Sequence, residues 1–357
     1  MGRVTLCVAC AGCFLMVAAF AAVFLARSHR CQLPGEAMTF LPERTIRVAG
    51  RVGEVRAARD GRVAVLTLPP GDPDEEVHLI DQRGVADSKL DMGWVLHPTS
   101  VAISPDGTTI AVGCCHGVLD IWDTKTRSRR RTVVAGKENE IVGRVAFDPT
   151  GTSVYAALYE SVVRVDAKTG AVATVIGPQT RLTVPRDWLG SIGELGVSPD
   201  GSDLVICCSG TIVWDLHRAR ERFCAPGSTS AAISPDRSQL ALACGGQADI
   251  WDFRTGRRLR TLTLNPPLSG EGCVAVRFSP DGQMLAACTM RANGFPSHLV
   301  AWRVADYSRP LAFMCGTDAT LDMCFLPATN ILVAGGLDST LYFWNLNNLP
   351  WAKQRKE

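Results

Sequence analysis

The chain has 357 residues, of which 46% are hydrophobic and 20% charged, with a formal net charge of +2. This composition excludes a disordered chain, and the near balance of 37 basic and 35 acidic residues argues against a nucleic-acid partner. The 33 glycines and 20 prolines are spread along the chain, which favours many turns. The length fits two ordinary domains or one large all-β domain.

The first element is an apolar segment. Residues 4–26 contain no charge, and about 20 apolar residues suffice to cross a membrane as a helix, whereas a secretory signal has an apolar stretch of roughly 7–15. We therefore predict one hydrophobic helix within residues 1–30, as a transmembrane signal anchor, and a linker at residues 31–44. Cleavage after Ala21 or Ser28 is the alternative.

The charges that flank this segment set its predicted orientation. Arg3 precedes it, while Arg27, His29 and Arg30 follow it. Positive residues favour the cytoplasmic side, so the balance tilts toward a membrane protein whose C-terminal portion is cytoplasmic. Export of that portion is the alternative.

A tight-turn motif then repeats through the rest of the chain. Proline presets the second position of such a turn, and aspartate and glycine suit the next two. The motif occurs complete or nearly so at Ser104-Pro105-Asp106-Gly107, Ser198-Pro199-Asp200-Gly201, Ser234-Pro235-Asp236-Arg237 and Ser279-Pro280-Asp281-Gly282. Repetition of one turn indicates a series of hairpins.

A second motif, a Trp-Asp pair or one member of it at the end of an alternating strand, follows each turn; Ile80-Asp81 and Val165-Asp166 keep only the acid. Its copies recur about every 45 residues, the length of a propeller blade. We predict a structural role for Trp122, Asp123, Trp214, Asp215, Trp251, Asp252, Trp302 and Trp344. Seven such units fill residues 45–357.

The combination of Trp-Asp pairs with these turns resembles the WD-repeat β-propeller family. The resemblance implies an all-β fold, a seven-bladed propeller of four-stranded antiparallel blades, with residues 45–48 closing the ring as an N-terminal strand. The repeats are degenerate: the Gly-His dipeptide of the family is absent, and Asp338 alone matches the family's aspartate before the third strand. His116 and Glu160 take that position in the second and third units.

The blade topology assigns loops to two faces. Connections from outer to first strands, and from second to third strands, lie on what we call the upper face. The five longest connections fall there, and long loops commonly carry function. We predict partner binding by their anchor-type residues: Trp94, Arg186, Asp187, Trp188, Arg291 and Phe295.

The connections from third to outer strands define the lower face, where basic residues are concentrated. The candidates are Arg127, Arg129, Arg130, Arg131, Arg218, Arg257 and Arg258. One interpretation is that this face lies against anionic lipid headgroups, where each basic residue adds about 1 kcal/mol. The other is that they are ordinary solvated turns.

No catalytic, cofactor-binding or metal-binding residue is predicted. The six histidines are scattered, and no nucleophile elbow, phosphate-binding loop or metalloprotease motif occurs. The first strands read as small and apolar, for example Val101-Ala102-Ile103 and Leu195-Gly196-Val197, so we expect no polar cluster at the propeller axis. The 11 cysteines outside the apolar segment lack disulfide or metal spacing, which favours buried thiols in a reducing compartment. Cys7, Cys10 and Cys13, inside it, have a spacing that could suggest a metal site, but we interpret them as small hydrophobic residues of the helix.

Three classes of function remain. The first is a non-enzymatic, membrane-tethered scaffold that presents its upper face to a protein or peptide partner. The second is an exported or periplasmic sensor or assembly propeller. The third is a propeller enzyme, such as a quinone-dependent dehydrogenase or a hydrolase, with chemistry in the axial channel.

Overall fold

The computed structural model describes residues 39–68, 75–81, 88–93, 97–183, 192–263, 271–291, 298–307, 311–314, 320–327 and 329–348. Across these ranges we find no helix with the length and apolar character needed to cross a membrane. The hydrophobic helix predicted within residues 1–30 lies outside the described residues.

The described strands form seven sheets, each of which is one blade. First and second strands pair antiparallel in every blade, as do second and third strands. First strands of neighbouring blades contact one another all the way round, so the blades form a closed ring. The predicted seven-bladed, all-β propeller with four-stranded antiparallel blades is confirmed.

The strand bounds follow the blade order from the axis outward. The first strands are β3 (Arg51–Ala57), β7 (Pro98–Ile103), β11 (Arg144–Phe147), β15 (Glu194–Val197), β19 (Ser230–Ile233), β23 (Glu271–Phe278) and β27 (Thr320–Phe325). The second strands are β4 (Val63–Leu68), β8 (Thr109–Cys114), β12 (Ser153–Ala157), β16 (Asp203–Cys207), β20 (Gln239–Cys244), β24 (Met284–Arg291) and β28 (Ile331–Gly336).

The two remaining positions complete each blade. The third strands are β5 (Glu76–Ile80), β9 (Val118–Asp123), β13 (Val162–Asp166), β17 (Gly210–Asp215), β21 (Gln247–Asp252), β25 (His298–Arg303) and β29 (Thr340–Asn345). The outer strands of blades 1 to 6 are β6 (Ser88–Lys89), β10 (Ser128–Val134), β14 (Val172–Ile176), β18 (Arg220–Pro226), β22 (Arg257–Thr263) and β26 (Leu311–Met314). A single-turn 3-10 helix, Leu346–Asn348, follows β29.

An N-terminal strand closes the ring. β2 (Arg44–Arg47) pairs antiparallel with β29 and is the outer strand of blade 7. It begins one residue before the predicted segment, and the Arg44 guanidinium lies 4.1 Å from the centroid of the Phe343 ring. The otherwise open edge of blade 7 is therefore covered by the chain itself.

A second N-terminal strand is an addition that the repeat pattern did not predict. β1 (Thr39–Phe40) pairs parallel with β26 and gives blade 6 a fifth strand. It falls in the segment interpreted as a linker. The Phe40 ring lies 5.6 Å from that of Phe313, which stands edge-on to Trp344 at 5.8 Å, so aromatic packing holds this strand across blades 6 and 7.

The hydrophobic core is divided into seven clusters, one between each pair of neighbouring blades. Trp122, Trp214, Trp302 and Trp344 are buried in four of these clusters, and Trp251 packs against a fifth. A large side chain at the end of a third strand thus fills the wedge toward the preceding blade.

The repeated turns connect first to second strands. Ser104 Oγ donates to Asp106 Oδ1 at 2.6 Å and accepts the Thr109 N–H at 3.0 Å, and Ser198, Ser234 and Ser279 repeat both bonds. Thr124, in a third-to-outer connection, donates to the Gly107 carbonyl at 2.7 Å. Both kinds of connection therefore share the lower face.

Candidate functional site

The predicted upper-face residues lie almost wholly outside the described part of the chain. Arg291 ends β24, but its side chain is not described. Trp94, Arg186, Asp187, Trp188 and Phe295 fall in the undescribed connections. Partner binding by these six residues stays a prediction.

The basic residues assigned to the lower face are divided between turns and strands. Arg127 and Arg218 lie in third-to-outer turns, as expected. Arg129, Arg130 and Arg131 instead belong to β10, and Arg257 and Arg258 begin β22. The turns are tighter than the sequence suggested, because the preceding aspartate caps them, and five of the seven side chains start on the circumference of the propeller.

Most of these arginines are engaged by carboxylates of their own blade. Arg129 Nε lies 3.1 Å from Asp120 Oδ2, and Arg130 pairs with Asp123. Arg218 pairs with Asp215 at 3.0 Å, and Arg258 lies 3.5 Å from Asp249. Four of the seven arginines are thus paired within the protein, and the anionic-headgroup interpretation gains no support from the described residues.

The aspartates of the Trp-Asp pairs cap the turns that follow them. Asp123 Oδ1 accepts the N–H groups of Lys125 and Thr126, each at 2.8 Å. Asp215 Oδ1 likewise accepts from His217 and Arg218 at 3.0 and 2.8 Å. Each carboxylate therefore satisfies backbone donors of the turn that follows it.

The hydrogen-bond network expected of the family's histidine and aspartate is replaced here. The buried indole Nε1 atoms of Trp122, Trp214, Trp251 and Trp344 have no hydrogen-bond partner among the described residues. Asp338 accepts instead from the Tyr342 hydroxyl and from the Thr340 N–H. The degeneracy of the repeats therefore changes their internal bonding while the blades remain intact.

A belt of side chains links neighbouring blades at the axis. It consists of the residue three positions before the end of each first strand: Glu54, Ser100, Arg144, Glu194, Ser230, Ala275 and Asp322. All but Ala275 are polar, and they bond to the next blade. Asp322 accepts from Val55 N at 3.0 Å, Glu54 from Val101 N at 2.9 Å, and Ser100 from Val145 N at 3.2 Å.

Two arginines cross the axis below this belt. Arg56 of blade 1 pairs with Glu194 of blade 4 at 3.3 Å and with Asp322 of blade 7. Arg277 of blade 6 contacts the same two carboxylates at 2.9 and 3.0 Å. Arg144 and Glu54 form a further pair at 3.3 Å. We call Arg56, Arg277, Glu194 and Asp322 the axial cluster; it joins four blades.

The charges of the axial cluster stabilise one another. Burial opposes ionisation of Asp322, but the guanidinium groups of Arg56 and Arg277 outweigh it and lower the pKa of that carboxyl. Burial likewise opposes the charge of Arg56, and the surrounding carboxylates raise its pKa overall. The cluster is therefore an ion network at neutral pH.

The axial cluster corrects the expectation that first strands supply no polar group to the axis. That expectation was wrong because Val101-Ala102-Ile103 and Leu195-Gly196-Val197 begin one residue after the polar side chains of Ser100 and Glu194. Aligning the repeats on their turns would have revealed the difference. Arg56 and Arg277 stand where other units have Ala102, Ala146, Gly196 and Ala232.

A funnel of about 480 Å³ opens beneath the axial cluster on the lower face. Its rim is formed by the turn prolines of six blades: Pro105, Pro149, Pro199, Pro235, Pro280 and Pro327. Its wall is formed by the last residues of the first strands, including Ile103, Phe147, Val197, Ile233, Phe278 and Phe325. Arg56 and Arg277 also line it, so the axial cluster faces this cavity.

In the part of the chain that the structure describes, the nine cysteines are thiols and not halves of disulfides. Burial raises the pKa of Cys273 and Cys324 to about 12, and burial raises the pKa of Cys224 to about 11. Thiols of this kind remain protonated at neutral pH and are poor nucleophiles.

Comparison with known proteins agrees with this architecture. Residues 93–123 and 309–345 match the family model described as WD domain, G-beta repeat. By fold the chain is a seven-bladed β-propeller, and at two of its blades the sequence is similar to the WD repeat.

The sequence is similar to parts of several known proteins. Cell division cycle 20.1, cofactor of APC complex, from Arabidopsis thaliana is 25% identical over 268 residues, which cover 71% of this chain and 55% of that protein. Small ribosomal subunit protein RACK1 from Caenorhabditis elegans is 30% identical over 112 residues, covering 28% and 34%. The chain thus spans between about a third and just over half the length of these relatives.

Solved structures share the fold. A chain in a crystal structure of the mitotic checkpoint complex matches with a TM-score of 0.70 at 18% identity, covering 90% of this chain and 97% of that chain. At this identity the likeness establishes the propeller fold alone.

Proposed function

We propose that this chain is a non-enzymatic scaffold that holds a protein partner on the face of its propeller. The axial cluster carries the proposal. The charged groups at the centre of the ring, where a propeller enzyme would place its chemistry, are engaged in ion pairs with one another. Two relatives, a cofactor of the APC complex and a chain of the mitotic checkpoint complex, are named for assemblies of proteins, which supports the same class.

The partner surface we propose is the upper face, through Trp94, Arg186, Asp187, Trp188, Arg291 and Phe295. The test is an affinity pull-down with the native protein and the Trp188→Ala and Arg291→Ala variants. We expect both variants to lose one specific partner. Arg254→Ala, an exposed residue of a lower-face turn, is the control and should retain it. Equal recovery with all four proteins would contradict an upper-face site.

Tethering to a membrane by residues 1–30 is a separate proposal, supported by the uncharged run of residues 4–26. We expect the full chain to remain in the membrane pellet after alkaline carbonate extraction, and a variant without residues 1–30 to appear in the supernatant. Cleavage of the segment, the alternative, would instead give a shortened mature chain by mass spectrometry.

The cytoplasmic side is the proposed location of the propeller, with export as the alternative. The absence of disulfides among the nine cysteines of the described residues supports a reducing compartment. Thiol titration of the denatured, purified protein distinguishes the two, because an exported propeller is expected to contain disulfides.

A further inference from the structure

The lower-face funnel has an excess of positive charge. Three of its lining residues are arginines, Arg56, Arg59 and Arg277, and one is an acid, Asp148. The Asp148 carboxylate is occupied within its own turn, where it accepts from Thr150 Oγ1 at 2.6 Å and from Ser153 N at 3.0 Å. Arg59 is exposed, and the ion pairs of the described part of the chain do not include it.

The two deeper arginines retain donors that the axial cluster does not use. Arg56 donates from Nη1 to the Val55 carbonyl and Asp322, and from Nη2 to Glu194. Arg277 donates from Nη1 to Ser230 Oγ and the Val276 carbonyl, and from Nη2 to Glu194 and Asp322. A guanidinium has five N–H groups. For both arginines the Nε–H has no acceptor within the described ranges.

The carboxylates of the axial cluster lie on the far side of these arginines. Glu194 and Asp322 belong to the belt one layer nearer the upper face, and neither lines the funnel. A group that enters from the lower face therefore meets guanidinium groups first, in a partly enclosed site where a charge-assisted hydrogen bond is strong.

The remainder of the funnel is apolar and wide at its mouth. Proline, aromatic and aliphatic side chains form most of its surface, and a cavity of about 480 Å³ lies within the ordinary range for ligand sites. Because six blades contribute to the rim, the mouth leaves room for a chain that continues into solvent on either side of a buried residue.

We propose that this funnel binds a short peptide segment of a partner protein, in which a carboxylate stands beside an apolar side chain. The carboxylate lies against Arg59, Arg56 and Arg277, and the apolar side chain packs against Phe147 and Phe278. The site is on the face opposite the upper loops, so it is independent of the partner surface proposed there.

The experiment is selection from a displayed library of random seven-residue peptides on the full chain. The most enriched sequence is then synthesised, together with a version in which each acidic residue is replaced by its amide, and binding is measured by fluorescence anisotropy. We expect enriched peptides to contain Asp or Glu next to Leu, Phe or Ile. We also expect at least tenfold weaker binding of the amide version and weaker binding as salt concentration rises.

A pair of surface variants locates the site. Arg59→Glu, at the rim, is expected to weaken binding at least tenfold, whereas Arg127→Glu, on the same face but outside the funnel, leaves it unchanged. Both residues are exposed, and equal melting temperatures verify folding. The proposal is overturned if no acidic peptide is enriched, if Arg59→Glu binds as tightly as the native protein, or if phenylpropionate alone binds as tightly as the peptide.

Discussion

At the scale of single residues, one departure from the repeated turn has a physical explanation. The fourth position of these turns has a positive φ, 74° at Gly107 and 59° at Arg237, which costs a residue other than glycine about 1 kcal/mol. Arg237 nevertheless pairs with Asp203 at 2.9 Å and also with Asp200, both in the preceding blade. In the fifth blade the strained backbone of Arg237 is therefore offset by its ion pairs with the preceding blade.

The substitution Arg237→Gly tests this offset. It removes the backbone strain but also the two ion pairs, and we expect a net loss of about 1 kcal/mol in the free energy of unfolding. The matched control is Arg127→Gly, at a φ of 55°, where no ion pair is lost. We expect that control to gain about 0.5–1 kcal/mol. Denaturant titration of both variants measures the effects, and the same sign for both would contradict the explanation.

A capping aspartate gives a prediction of pH dependence. The backbone N–H of Arg218 lowers the pKa of Asp215 below its ordinary value of 3.8, although burial opposes the shift. A carboxyl with a lowered pKa in the folded state contributes stability that is complete above 3.8 and is lost as the pH falls through the folded pKa.

We therefore expect Asp215→Asn to be less stable than the native protein at neutral pH. The difference in the free energy of unfolding between the two proteins should decrease in acid, because the native carboxylate becomes protonated there whereas the amide of the variant does not titrate. Urea titrations between about pH 7 and pH 3 give the two curves. A difference that is constant over this range would show that the carboxylate charge has no part in the cap.

At the scale of elements, the first strands are held by charge as well as by apolar packing. Glu194 accepts from Arg56, Arg277 and Ser230, which belong to three other blades. Removing one partner from a buried ion network leaves the others uncompensated, which costs about 3–5 kcal/mol.

Glu194→Gln should therefore lower the free energy of unfolding by about 3 kcal/mol. Glu160→Gln, an exposed residue of a blade 3 turn, is the control and should have little effect. The double variant with Glu194→Gln and Arg277→Gln should lose less stability than the two single variants together. We expect its loss in the free energy of unfolding to be at least about 1 kcal/mol smaller than the sum of the two single losses, because either change already breaks the network. Strict additivity in chemical denaturation would refute the coupling.

At the scale of the whole molecule, the ring depends on a strand taken from the other end of the chain. β2 pairs with β29 about 300 residues later, and without it the third strand of blade 7 presents an open edge. β1 adds only two residues to an outer strand that is already paired. The two N-terminal strands should therefore differ in their importance.

Truncation tests this difference. A chain that begins at Leu41 loses β1 alone and should keep a melting temperature within a few degrees of native. A chain that begins at Arg51 also loses β2, and we expect a fall of about 10 °C or more together with aggregation. The same melting temperature for both truncations in scanning calorimetry would show that β2 does not hold the ring closed.

The local pattern of the sequence determined the blades. Turn chemistry at Ser104-Pro105-Asp106-Gly107 and its copies, and an aromatic residue at the end of a third strand, depend on neighbours within a few residues. Such signals repeat wherever the blade repeats, and the family resemblance that they support predicted the strand order and the ring closure without knowledge of any contact between blades.

The axial cluster and the funnel exist only in the tertiary structure. Arg56 and Glu194 are 138 residues apart, and each by itself reads as an ordinary charge near the end of a strand. They meet because seven first strands converge on one axis, which brings their side chains into a space that no single repeat describes. Closure of the ring turns separate charges into one ion network, and it leaves beneath them an apolar cavity with a cationic floor.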